Sequence, residues 1–141
     1  MKATIWFRVS AIVLLIFAAG HTFGFLAFKP PTAEGLAVLD AMNRVHFQVG
    51  HSSFSYGHFY VGFGLFITAA QLFVAFLAWH LGAMTRRGSP DVAVLGWSLV
   101  VLQLAGVGIS LVYISINPAV LSAAVAVCLA IATRLARRQL A

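Results

Sequence analysis

The sequence predicts an all-α, polytopic integral membrane four-helix bundle with an additional amphipathic interfacial helix between the first and second spans. Three observations carry this expectation. Of the 141 residues, 62% are hydrophobic and 9% charged, and the mean hydropathy is +0.98, too apolar for a domain whose surface must be wetted. Four stretches reach the roughly 20 apolar residues that a helix rising about 1.5 Å per residue needs to cross the hydrocarbon core. The charged residues sit at the ends of those stretches, so the formal charge of +6 reads as span flanks and not as a nucleic-acid footprint.

The expected spans run from about Thr4 to Phe28, His58 to Ala83, Val92 to Ile116 and Pro118 to Leu135, within one membrane domain covering residues 1–141. Arg134 interrupts the last of them, near its end, where an arginine can snorkel to the headgroups. Lys2, Arg8, Arg86, Arg87, Arg134, Arg137 and Arg138 fall on one side with Asp91, whereas Lys29 and Arg44 share the other with Glu34 and Asp40. This imbalance predicts that both termini face the cytoplasm. Lys2 and Arg8 ahead of "AIVLLIFAAG" also resemble a secretory signal, but no clear A-x-A site follows, and the segment reads as a retained helix. Cys128 is the only cysteine, which excludes intramolecular disulfides and cysteine-rich metal sites.

"MTRRGSP" and "INPA" read as tight turns, making consecutive spans antiparallel neighbours. The first connection, Lys29 to Gly57, is long and still hydrophobic, which disfavours a plain loop. After "KPPTAEG", Thr32 reads as an N-cap with Glu34 in the first turn, opening an interfacial helix expected to run from about residue 32 to residue 50. At 100° per residue, Val38, Leu39, Met42, Val45 and Val49 share a face, Asp40, Arg44 and Gln48 lie opposite, and His46 falls within the apolar arc with Asn43 at its edge. Asp40 and Arg44 are spaced for an ion pair.

The polar residues of the spans are the candidates for function. "GHTFGF" holds a GxxxG pair, Gly20 and Gly24, which predicts close approach of another helix, and His21 on its flank should face protein. "SYGHFYVGFG" opens the second span with Tyr56, His58 and Tyr60, suited to an interfacial belt, and with glycines for close contact. Ser110 and Tyr113, one turn apart in the third span, are expected at the depth of His21. Gln71 and Gln103, near midspan, are expected to share an interhelical hydrogen bond, and Ser122, Ala126 and Ala130 to form a packing stripe.

"HTFG", "AMNRVHF" and "SYGHFYVGFG" together resemble a group of small, uncharacterised bacterial membrane proteins with an HTxG signature in the first span and an SYxxFYxGFG segment opening the second. The resemblance covers most of the chain and implies four spans, without bringing an activity. Its signature falls on His21, Gly24, Ser55, Tyr56, Phe59, Tyr60, Gly62 and Gly64, and His58 departs from the acidic residue common there.

The leading expectation is binding of a small apolar ligand, a quinone, isoprenoid or lipid, in an outer-half pocket built from His21, Asn43, His46, Tyr56, Tyr60, Ser110 and Tyr113, with Phe17, Phe25 and Phe63 lining the rest. Partners expected on this reading are membrane lipid, that ligand, and a larger membrane complex or a homo-oligomer. Three alternatives stand beside it. A metal or haem site could draw on His21, His46, His51 and His58, although none of their spacings places two ligands on one helical turn. An acid–base enzyme could use His21 or His46, with Asp40 drawn instead to Arg44. A structural subunit would fill the outer space with side chains. For His51, His58 and His80 the bland reading, an interfacial hydrogen-bond anchor, is preferred.

Overall fold

The computed structural model describes residues 2–140, with helices α1 (Lys2–Leu26), α2 (Ala33–Arg44), α3 (Tyr56–Arg86), α4 (Asp91–Tyr113) and α5 (Ile116–Leu140) and strands β1 (His46–Val49) and β2 (Ser52–Ser55). Helices α1, α3, α4 and α5 are each long and apolar enough to cross a membrane. With 31 residues at about 1.5 Å each, α3 is about 46 Å long, more than the ~30 Å of a hydrocarbon core. The chain forms two compact units, one of residues 1–17 and 71–141 and one of residues 18–70, so α1 and α3 each contribute to both.

The first unit is a helical bundle. Along α1 the buried residues Ala3, Phe7, Ser10, Ala11 and Leu14 recur every three or four positions, which defines one inward stripe. The remaining faces are equally apolar, with Ile12, Leu15 and Ile16 exposed, a pattern that suits a lipid surround and not water. Ala3, Phe7, Ala11 and Leu14 of the α1 stripe share one buried cluster with Val74, Ala78 and Leu81 of α3, Val92 and Leu99 of α4, and Val125 and Leu129 of α5. Small residues set how closely the helices approach: a Cβ on Gly82 would meet the Thr4 carbonyl at 3.3 Å, and one on Gly96 would collide with the Thr133 side chain. Thr133 is fully buried and returns its hydroxyl to the Leu129 carbonyl at 2.8 Å, satisfying itself within α5.

The turns follow local chemistry. Gly88 adopts φ +69°, and the amides of Gly88 and Ser89 donate to the carbonyls of Thr85 and Met84, a Schellman closure of α3. The α4–α5 turn is tighter than expected, since Asn117 and Pro118 already lie in the first turn of α5, where proline's missing N–H costs nothing. The anticipated amide pair does not form. Gln103 is buried, yet Oε1 of Gln71 is buried without any partner among the described residues.

The second unit departs most from expectation. Thr32 caps α2 as anticipated, its Oγ1 accepting from the Gly35 amide at 3.1 Å, and Arg44 pairs with Asp40 at 2.8 Å on an exposed face. The helix stops at Arg44, however, and residues 46–55, the first five of them expected as helix, form an antiparallel hairpin. The reason is a two-residue turn. Gly50 takes φ +60° and His51 does not, the type II′ arrangement that matches strand twist, and it brings Phe47 opposite Phe54. Ser52, Ser53 and Ser55 add residues that hold no helix well. Ser55 then caps α3, its Oγ accepting from the His58 amide at 3.1 Å.

Candidate apolar groove beside α2

Two glycines of α3 govern the geometry of the second unit. A Cβ on Gly64 would lie 2.7–2.9 Å from the Phe25 ring, and one on Gly57 would overlap the Asn43 side chain. The end of α1 and the C-terminal part of α2 therefore reach α3 through positions that only glycine leaves open. Gly20 and Gly24 do the reverse. Among the described residues no other element lies within 4 Å of a Cβ at either, so the close helix contact is made by Gly64 and not by the GxxxG pair.

His21 is half-buried between α1 and α3. Its Nε2 lies 3.1 Å from the Gly64 carbonyl oxygen, and because a carbonyl only accepts, Nε2 carries the proton and donates. In the neutral ring Nδ1 is then left as an acceptor. The imidazole also packs on Phe25 at 5.1 Å between centroids, and Phe25 meets Tyr60 edge-on at 6.4 Å. One turn away, Thr22 and Thr68 hydroxyls lie 2.8 Å apart, with Thr22 also 2.8 Å from the Ala18 carbonyl and Thr68 3.2 Å from that of Gly64. Two hydroxyl protons serve these three contacts. The Gly64 oxygen already receives His21 and the helical amide four residues on, so the order that best fits is Thr68 donating to Thr22 and Thr22 to Ala18.

Next to this clasp lies a groove of about 470 Å³. Phe25 and Phe28 form one wall, Val38, Leu39 and Met42 of α2 another, and Tyr60 and Val61 of α3 the third. Its polar side chains are Asn43 and Tyr60, and neither makes a hydrogen bond within the chain among the described residues. Pro30 closes one end, 2.6 Å from where a Cβ on Gly35 would sit.

The sequence-derived site residues distribute unevenly about this groove. Asn43 and Tyr60 line it, while His21 stands behind the Phe25 wall. Tyr56 lies instead in an exposed aromatic strip, 5.0 Å from Phe47, which continues through Phe59 to Phe63. His46 was placed on the inward arc by helical projection; on a strand it is exposed, with Nδ1–H donating to the Arg44 carbonyl at 2.8 Å. Phe17, Ser110 and Tyr113 belong to the bundle unit, where Phe17 and Ser110 are buried and Tyr113 is 80% exposed. Among the described residues no three His, Cys, Asp or Glu side chains gather as a metal site. Leu26, Phe28, Pro30, Gly35, Gly57 and Val61 line the groove without having been expected there. Only the apolar arc of Val38, Leu39 and Met42 signalled this wall in the sequence.

Fold and groove together define an α-helical chain with four potential membrane spans and a polar-tipped apolar groove formed by α2 and the ends of α1 and α3 within one unit. Comparison with protein-family models, with curated proteins and with solved structures finds no match in any of the three.

Proposed function

We propose that this chain is a multi-pass protein of the bacterial inner membrane, both termini cytoplasmic, that binds a small apolar ligand in the α2 groove. The observation that carries the reading is the groove's composition: hydrophobic walls with two unengaged polar side chains, Asn43 and Tyr60, at α2 and α3. That is the usual make-up of a small-molecule site, in which apolar area supplies affinity and a few polar groups fix orientation. A purely structural module would fill this space with side chains. The exposed apolar flanks of the spans and the basic residues at one end of the bundle unit support the membrane placement.

Extraction in a mild detergent followed by mass spectrometry tests the ligand. Wild-type protein is expected to carry a stoichiometric amphiphile, and Met42→Trp, which fills the groove, to lose it while melting at the temperature of delipidated wild-type protein. Equal recovery of lipid by both proteins, or none by either, rejects the reading. Orientation is tested in a Cys128→Ser background with single cysteines at Ser89 and Ala37: an impermeant maleimide should label Ala37→Cys alone in intact cells.

A further inference from the structure

We infer that the groove selects a ligand whose polar end is uncharged and presents a carbonyl oxygen, such as a quinone or a neutral acyl glyceride, and that it rejects fatty acids and phospholipids; this rests on the groove being a ligand site. The first ground is charge. Among the described residues lining the groove there is no Lys, Arg, His, Asp or Glu. An ionised head drawn into such walls leaves water without a counter-ion, which costs several kcal/mol. The nearest charges along the chain do not remedy this. Arg44 is held by Asp40 at 2.8 Å on an exposed face, and Lys29, Glu34 and His58, although each adjoins a lining residue in sequence, are themselves exposed and outside the lining.

The second ground is the direction of the free hydrogen-bonding groups. A Cβ on Gly57 would overlap the Asn43 carbonyl oxygen, so that oxygen lies against α3, and the exposed Asn43 NH₂ makes no hydrogen bond among the described residues. Tyr60 has a hydroxyl with no protein acceptor among the described residues. Two donors on neighbouring elements suit one carbonyl oxygen, which has two lone pairs and no proton to clash with either. Burial of that oxygen without them would leave it unsatisfied, so the pair discriminates as well as binds.

The test uses the full chain in a neutral maltoside detergent and follows thermal stability against four probes. These are decylubiquinone, dioctanoylglycerol, dioctanoyl phosphatidylglycerol with the same acyl chains, and dodecanoate. At least one of the two neutral carbonyl probes should raise the melting temperature, and which one does identifies the source of the carbonyl. The two anions should not. Asn43→Leu and Tyr60→Phe should each weaken the neutral probe about tenfold, and Lys29→Gln should leave its affinity unchanged. Each variant's ligand-free melting curve separates lost binding from lost folding. Phosphatidylglycerol binding as tightly as dioctanoylglycerol, with that binding lost in Lys29→Gln, overturns the neutral-head assignment while leaving a ligand groove in place. Absence of any shift with all four probes, together with no co-purified amphiphile, overturns the ligand reading itself.

Discussion

The Nε2–H of His21 donates to the backbone carbonyl of Gly64 at 3.1 Å, tying α1 to α3 forty-three residues along the chain. A helix carbonyl normally spends itself on the amide one turn further on. Gly64 has no side chain to cover its oxygen, and Phe25, which packs on the imidazole at a 40° tilt, occupies the space a Cβ would take. The histidine in "GHTFGF" thus serves as a clasp that positions a groove wall, not as a lining residue.

His21→Ala is expected to lower stability by about 1–2 kcal/mol, the sum of one interhelical hydrogen bond and part of an aromatic contact. His21→Phe keeps the stacking but not the bond and should recover only part of the loss. Thermal unfolding in detergent measures both, and an unaffected His21→Ala protein contradicts the clasp.

Glycine substitutions should divide sharply by position. Gly64→Ala and Gly57→Ala force Phe25 and Asn43 to move and are expected to cost about 1–3 kcal/mol. Gly20→Ala and Gly24→Ala meet open space within the chain and should be neutral or stabilising by about 0.5–1 kcal/mol through helix propensity. Destabilisation of either, read as a fall in melting temperature that deepens with protein concentration, would show that the stripe packs against a second copy.

Gln71 offers a case where removing a polar group should help. Its Oε1 is buried without a partner, so Gln71→Leu relieves an unsatisfied acceptor and keeps most of the volume. Stability should stay level or rise by about 1 kcal/mol. A fall of similar size would reveal a hydrogen bond that the amide makes in the native protein.

The hairpin depends on one backbone conformation. Gly50 at φ +60° is a position a β-branched residue tolerates poorly, so Gly50→Val should loosen β1 and β2. Hydrogen exchange at residues 46–55 is the readout. Faster exchange confined to that segment is expected, with the helices of the bundle unit unchanged.

Much of this was legible in the sequence because it is local. Each long helix is a predominantly apolar stretch, Thr32 precedes an acidic first turn, and Asp40 and Arg44 are one turn apart. Residues 45–49 were misread because Val45 and Val49 fit a helical arc as well as they fit alternation, and the two-residue Gly50–His51 turn that breaks the tie sits just beyond them. The GxxxG pair is a different case, left open within the chain. A small-residue spacing announces that a close approach is available, not that the chain uses it.

Four apolar helices, a capped amphipathic helix and the placement of the charges are written into the chain, because length, hydropathy and capping act within a few residues. Which glycines admit a neighbour, that His21 donates its proton to Gly64, and that Asn43 and Tyr60 line one groove together with Phe25 and Met42 are legible only in the tertiary structure. Those outcomes depend on how residues remote along the chain pack against one another, and close packing discriminates by shape at a scale of tenths of an ångström that no one-dimensional pattern records.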